Sequence, residues 1–131
     1  DVFSGCSDIV SITIPQSVVA IDKDAFTNCS NLSRFSGKYT SLDGRSIIMD
    51  GTLKVFASAG VTEYNIEEGV TAIGDEAFYG CSRLKTVYYP ESESVWQQIE
   101  IGSFNTSLTN ATIHCNHIHK RFFRLYLQFL H

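Results

Sequence analysis

The sequence predicts a mainly β solenoid with short helical turns and an inserted β-hairpin. Residues 14–32 (IPQSVVAIDKDAFTNCSNL) recur as residues 66–84 (IEEGVTAIGDEAFYGCSRL), with nine of 19 positions identical. Eight of those nine are apolar or small and none is charged, so the repeat keeps the residues of a core and varies its surface. This pattern is typical of stacked repeats, in which each unit covers its neighbour.

A third, partial copy lies at the start of the chain, where Phe3 and Cys6 match Phe26 and Cys29. The interval from Phe26 to Phe78 is slightly more than twice the interval from Phe3 to Phe26. The shorter interval, a period in the twenties, suits one coil of a solenoid. The longer interval therefore predicts an irregular unit with a small insertion.

Each coil is predicted to contain a strand, a turn, a second short strand and a helical turn. Residues 9–14 (IVSITI) alternate in polarity at their end and stop at Pro15, which has no N–H for a ladder. Residues 18–21 (VVAI) give the second strand, and residues 24–29 give a helical turn that buries Phe26. The equivalent segments in the later copy are residues 84–89, 70–73 and 76–81, with Phe78 in the place of Phe26.

The middle and the end of the chain depart from this pattern. Residues 46–49 and 52–57 read as two strands joined by a type I′ turn at Asp50-Gly51, so residues 39–59 form a hairpin or meander in place of one ordinary coil. Residues 92–98 (SESVWQQ) predict a short helix capped by Ser92 or Ser94, with Trp96 facing inward. Residues 111–114 predict a last strand.

Composition narrows the possible functions. The chain has 131 residues, 44% of them apolar and 18% charged, which suits one folded domain with a core. Its net charge of −4 argues against nucleic-acid binding, and it has no apolar run long enough to span a membrane. The chain opens within a repeat and its methionine is Met49, so we expect a fragment or a mature segment.

The repeats resemble the BspA-type leucine-rich repeat family. The matching positions are Ile9, Ile12, Ile14, Pro15, Val18, Ile21, Ala25, Phe26, Cys29 and Leu32, and again Ile66, Val70, Ile73, Ala77, Phe78, Cys81, Leu84 and Val87. The resemblance implies a leucine-rich-repeat solenoid over residues 1–114, with the hairpin insertion at about 39–59 and a closing unit at about 92–114. Residues 115–131 are left as an unassigned tail. Glu67 departs from the pattern, which expects proline there.

The resemblance also implies a secreted or surface-anchored bacterial protein that is adhesin-like and not catalytic. Its partner would be a protein or a glycan, and no catalytic residue, metal or cofactor is carried over from the family. The alternative is a structural spacer or accessory module of a larger surface protein. A third, weaker possibility is a metal-dependent activity at residues 114–119.

The outward side of the main sheet is the predicted binding surface, because solenoids commonly bind on such an extended face. If Ile12, Phe35 and Val87 point into the core, the alternate residues point outward. Aligned by repeat, these residues make one row of Ser11, Arg34 and Thr86 and a second row of Thr13, Ser36 and Tyr88. An ordinary solvated sheet is the alternative for each of them.

The remaining motifs leave several possibilities open. Cys6, Cys29 and Cys81 occupy one place in the repeat, where either buried thiols stacked in a ladder or a Cys6–Cys29 bridge is possible. Cys115, His117 and His119 share one face of an extended strand and are zinc-ligand types, although no second ligand pair accompanies them. Residues 120–130 (KRFFRLYLQFL) form an aromatic, basic tail that either caps the solenoid, is foreign sequence, or binds a membrane surface or partner.

Overall fold

The computed structural model describes residues 7–22, 24–26 and 29–116 of the chain. Short strands dominate these residues, in a solenoid of about four turns, which confirms the predicted fold class. The strands are β1 (Ser11–Ile14), β2 (Arg34–Gly37), β3 (Ser46–Met49), β4 (Thr52–Phe56), β5 (Glu63–Asn65), β6 (Ala72–Ile73), β7 (Thr86–Tyr88), β8 (Glu100–Ile101) and β9 (Thr112–His114). The helices are α1 (Glu93–Gln98) and α2 (Thr106–Thr109).

Parallel strands mark the start of each coil. β1 pairs with β2, and β5 pairs with β7, which in turn pairs with β9. We define coil 1 as residues 11–33, coil 2 as residues 34–62, coil 3 as residues 63–85 and coil 4 as residues 86–111. Coils 1 and 3 are equal in length and coil 2 is longer, so coils 1 and 2 together account for the long interval of the sequence repeat.

The inserted hairpin belongs to coil 2, as the sequence predicts. β3 and β4 pair in antiparallel fashion around Asp50 and Gly51, whose φ angles of 51° and 81° fit a type I′ turn. β4 then pairs in parallel with β6, which pairs with β8, so the hairpin supplies strands to a second sheet of order β3-β4-β6-β8. The insertion therefore extends the solenoid's second sheet.

The core lies between these sheets. Ile12, Phe35 and Val87 are 6%, 0% and 0% exposed, so the predicted inward face of the main strands is confirmed. Phe78 is fully buried, and its ring lies 4.8 Å from that of Phe56 in the coil before it. Phe26 is half-buried and packs edge-on against Phe35. The aromatic side chains therefore pack from coil to coil, as the repeat predicts.

The second strand predicted for coil 1 is wrong. Residues 18–21 form no strand, and Val19 is 80% exposed. The equivalent strand β6 has a neighbour on each side, whereas residues 18–21 lie beside no strand of the described chain that continues this sheet. A very short strand needs a neighbouring strand on each side, because it has little stability by itself. In place of a strand partner, the ammonium group of Lys38 donates to the backbone oxygens of Gln16 and Val18.

The helical turns and the closing helix agree with the sequence. In coil 3, successive turns are held by bonds from the N–H of Ala77 to Gly74 O and from the N–H of Cys81 to Phe78 O. Ser92 caps α1 by accepting the N–H of Val95, and the Trp96 ring packs 5.0 Å from that of Tyr89. Among the described residues, none forms a helix that is long and apolar enough to cross a membrane.

Candidate binding face

The parallel register fixes which side chains share the outward side of the main strands, here called the outer face. Each strand alternates one buried residue with polar neighbours that point away from the core. The outer face contains Ser11, Thr13, Arg34, Ser36, Glu63, Asn65, Thr86, Tyr88, Thr112 and His114. The six residues predicted from the sequence are among them.

In the sheet of β1 and β2, the predicted neighbours are brought together. Ser11 lies opposite Arg34, and Thr13 lies opposite Ser36 with their hydroxyl oxygens 2.8 Å apart. Arg34 is exposed and runs beside Gly44, where a Cβ would lie 3.4 Å from its Cγ. The side chains of this part of the face are small and polar, except for Arg34. The hydroxyls of Thr13 and Ser36 bond to each other, so the Arg34 guanidinium is the main group open to a partner.

Thr86 and Tyr88 lie in the other sheet, so the two predicted rows are not continuous. β7 is flanked by β5 and β9 and does not pair with β2. The loop of residues 40–45 contacts both sheets: the N–H of Phe35 donates to Gly44 O, and Glu67 Oε1 accepts the N–H of Leu42 at 2.7 Å. The hairpin insertion therefore interrupts the rows between Arg34 and Thr86, which sequence alignment by repeat did not reveal.

Tyr88 is the centre of a cluster on the second sheet. Its hydroxyl donates to Glu63 Oε1 at 3.3 Å, and its ring stacks on His114 with centroids 5.3 Å apart and planes 21° apart. Desolvation and the carboxylate of Glu63 raise the pKa of Tyr88 above its ordinary 10.0, which extends the pH range over which its phenol can donate to Glu63. We call Glu63, Tyr88 and His114 the aromatic cluster. It joins three successive strands on one polar surface.

A cavity lies beside the aromatic cluster, at the break between the sheets. It has a volume of about 360 Å³, and its lining includes Asp43, Arg45, Glu63 and Asn65. The side-chain oxygen of Asn65 is buried and has no hydrogen-bond partner within the described ranges.

Four residues of the outer face were not predicted from the sequence: Glu63, Asn65, Thr112 and His114. The signal for the first two was the repeat itself, because Glu63 and Asn65 take the places of Ser11 and Thr13 when the two copies are aligned. His114 belongs to the segment 114–119, in which Cys115, His117 and His119 were the predicted zinc-ligand types. His117 and His119 lie outside the described residues, and the described ones contain no group of three metal-ligand side chains.

The repeated cysteines do not form a continuous ladder in the described part of the chain. Cys29 and Cys81 are both buried, but they belong to coils 1 and 3, with coil 2 between them. Burial raises the pKa of the free Cys81 thiol to about 11, and a hydrogen bond with Ser58 offsets part of this effect. Its thiol is therefore a packing group at neutral pH. Cys6, and hence its possible bridge to Cys29, lies outside the described residues, as does the tail from residue 117.

Comparison with known proteins agrees with this architecture. Residues 52–128 match the family described as the BspA type leucine rich repeat region (6 copies), which covers more than half of the chain. No curated protein and no solved structure matches. Repeats of this family form domains that are often surface-associated and act in protein binding, typically without catalysis. The repeated coils and the family match together show that this chain belongs to the BspA-type leucine-rich repeat family.

Proposed function

We propose that this chain is an adhesin-like, non-catalytic binding domain of a bacterial surface protein, and that its outer face binds a protein or glycan partner. The observation that carries the proposal is the aromatic cluster, in which Tyr88, Glu63 and His114 form one connected polar surface on three strands. Aromatic side chains with a polar group supply much of the affinity at binding interfaces. The association of this family with bacterial surface proteins supports the cellular location.

The centre of binding on this proposal is the sheet of β5, β7 and β9. The aromatic cluster is joined there by the cavity and by the buried, unpartnered oxygen of Asn65. Thr86 lies in the same strand as Tyr88, between Glu63 and Thr112. In the other sheet, Ser11, Thr13 and Ser36 are small side chains, so Arg34 is the residue there with the reach to contact a partner.

The test uses the whole chain, immobilised extracellular-matrix proteins and a glycan array. We expect saturable binding to one of them, weakened about tenfold or more by Tyr88→Ala, since central tyrosines often contribute about 2 kcal/mol or more. Arg34→Ala should have a smaller effect because it lies beyond the sheet break. Phe104→Ala and Lys85→Ala are matched controls, as both residues are exposed and neither belongs to the outer face. Equal effects of Tyr88→Ala and Phe104→Ala would contradict the proposal.

The second candidate is a structural spacer. It is favoured by the sheet of β1 and β2, where Thr13 and Ser36 bind each other and leave a plain solvated surface. On this alternative, the chain binds none of the immobilised partners, while a longer protein that contains it does. The binding assay therefore separates the two functions directly.

A further inference from the structure

Coil 2 is shorter than its neighbours on the turn side of the solenoid. In coil 3, residues 74–85 connect the end of β6 at Ile73 to the start of β7 at Thr86. In coil 2, the connection from the end of β4 at Phe56 to the start of β5 at Glu63 is residues 57–62, which is half as long. The extra length of coil 2 is thus in its hairpin, and its outer turn is cut short beside the longer turn of coil 3.

The short turn leaves a slot between the turns of coils 1 and 3. The slot has a volume of about 420 Å³, with residues 29–32 on one side, residues 76–83 on the other, and residues 54–60 at its base. We call it the turn slot. Neighbouring coils in a solenoid are roughly 5 Å apart, so one missing layer leaves the width of a single polypeptide segment.

The base of the turn slot is already closed by aromatic packing. Phe56 is 6% exposed, and its ring lies 4.4 Å from that of Tyr64 and 4.8 Å from that of Phe78. The interior position that Phe78 fills in coil 3 is therefore filled by Phe56 in coil 2. What coil 2 lacks is the outer, polar part of the turn. Ser30 and Ser82 line the two walls of the slot, and Ser58 lies at its base, where it bonds with the Cys81 thiol.

Two cations line the turn slot. Lys54 rises from β4 and Arg83 follows the turn of coil 3, and neither makes an ion pair or a hydrogen bond with a residue of the described chain. Other cations are engaged: Lys38 donates to Gln16 O and Val18 O, and Arg45 donates to Ala57 O and Ala59 O. In a chain of net charge −4, two unpaired cations at one slot make a local site for negative charge.

The nearby carboxylates leave the lining of the slot with a net positive charge. Asp75 lies outside the lining, and its Oδ1 accepts the N–H of Ser103. Glu76 lines the slot together with Lys54 and Arg83, so these three side chains carry a net formal charge of +1. Tyr79, at the rim, is 59% exposed and offers an apolar surface beside the charges. The turn slot thus has the width of one extended chain, cations in its lining and an exposed aromatic ring at its edge. These features suit an extended acidic peptide segment.

We propose that the turn slot binds an acidic peptide segment of a partner protein, which enters as the missing layer between coils 1 and 3. Acidic side chains of the peptide pair with Lys54 and Arg83, its backbone meets the serine hydroxyls, and an apolar residue packs on Tyr79. The slot is on the turn side and the aromatic cluster is on the outer face, so this site is separate from the one proposed above.

The test measures the fluorescence anisotropy of a fluorescein-labelled octapeptide rich in glutamate and serine with one phenylalanine, and of a lysine-for-glutamate version. We expect saturable binding of the acidic peptide alone, weakened about tenfold or more by Lys54→Glu with Arg83→Glu. The matched control compares Arg83→Glu with Lys85→Glu, which change the net charge equally, the second through an exposed cation outside both the slot and the outer face. Ser82→Trp, which fills the slot without changing charge, should also abolish binding.

Several results would overturn the proposal. They are no saturable binding of the acidic peptide, equal weakening by Arg83→Glu and Lys85→Glu, or unaltered binding to Ser82→Trp. A sulfated oligosaccharide that binds through Lys54 and Arg83, when the peptide does not, would assign the slot to a glycan. Self-association by analytical ultracentrifugation that is lost in Lys54→Glu with Arg83→Glu would assign it to a second copy. Circular dichroism of each variant confirms that it is folded.

Discussion

Asn105 accepts the backbone N–H of Phe78 at 2.8 Å through its side-chain oxygen, across the boundary between coils 3 and 4. Its side-chain nitrogen donates to the carbonyl oxygens of Gly74 and Gly102, both at 3.0 Å. Asn105 is only 4% exposed, so these bonds are made out of contact with water. One side chain thus joins the backbones of two successive coils at the point where the repeat pattern ends.

Replacing Asn105 by alanine should destabilise the domain strongly. The change leaves the N–H of Phe78 buried without a partner, which costs about 1–3 kcal/mol, whereas the carbonyl of Gly74 keeps its bond from the N–H of Ala77. We expect a loss of about 1–3 kcal/mol in the free energy of unfolding, measured by urea denaturation. Asn110→Ala is the control, because that side chain is exposed and should change stability by less than about 0.5 kcal/mol. Equal effects would show that the bridge contributes little.

The sequence did not predict this bridge because its partners are backbone atoms from two coils. The pairing of Ile73 with Ile101 places Asn105 level with Ala77, a buried position of the repeat. From the sequence, a polar residue at a normally buried position of the repeat suggests only that the repeat has ended. Its hydrogen-bond partners can be identified only once the neighbouring coil has been placed beside it. The local sequence pattern therefore predicts which residues are buried, whereas the partners of a buried polar group depend on the assembled fold.

Elements with local signals were predicted well. The Asp50-Gly51 turn, the Ser92 cap and the alternation of Ile12 and Ile14 each act within a few residues, and the structure has all three. The strand at residues 18–21 failed because its stability depends on neighbours that coil 1 does not have. The outer face was predicted in part, because the predicted residues do point outward. The break between the two sheets was not predicted, because it depends on where the hairpin loop packs.

The aromatic residues that pack between coils should differ in their contributions to stability. Phe78 is 0% exposed and contacts the rings of Phe56 and Tyr64, so Phe78→Ala should cost about 3–5 kcal/mol. Phe26 is only half-buried, so Phe26→Ala should cost clearly less than this. Thermal and urea unfolding of the two variants gives the comparison. A Phe26→Ala cost equal to that of Phe78→Ala would show that the first coil packs as tightly as the third.

Phe104→Gly should stabilise the protein although it removes a large apolar side chain. Phe104 has a φ of 60° and its side chain is 66% exposed, so it has a strained backbone and gains little from burial. The left-handed conformation costs a non-glycine residue about 1–2 kcal/mol, part of which is offset by the greater freedom of glycine when unfolded. We expect a net gain of about 0.5–1 kcal/mol by urea denaturation.

Phe104→Ala is the control for the strain at this position. Alanine removes the ring but keeps the unfavourable φ, so its stability should stay close to that of the unchanged protein. If alanine and glycine stabilise equally, the gain comes from removing an exposed ring and the backbone angle is unimportant. Glu76 has the same φ of 60° in coil 3, and it provides a second site for the glycine substitution.

Alkaline pH should destabilise the domain through the buried Cys81 thiol. Burial raises its pKa from the ordinary 9.0 to about 11 in the folded state. As pH rises, the unfolded chain therefore loses the Cys81 proton before the folded protein does. The contribution of this thiol to the free energy of unfolding is complete below about pH 9 and is lost as pH rises toward 11. The group contributes at most about 2–3 kcal/mol to this decline, which urea denaturation at a series of pH values measures.

The same series with Cys81→Ala tests the source of the decline. The unchanged protein and this variant should differ less in free energy of unfolding at about pH 10.5 than at about pH 8. The reason is that only the unchanged protein has the Cys81 thiol, which ionises more readily in the unfolded chain. Burial also raises the pKa of Tyr64 well above its ordinary 10.0, with a smaller effect from the Asp43 carboxylate, so both proteins should still lose stability at the highest pH. Cys115→Ala is the comparison: desolvation and the Glu93 carboxylate raise the pKa of that half-buried thiol too, so its removal should change the pH profile in the same direction but by less than Cys81→Ala. A constant difference between the unchanged protein and Cys81→Ala across this range would mean that the Cys81 thiol ionises equally readily in the folded and unfolded states.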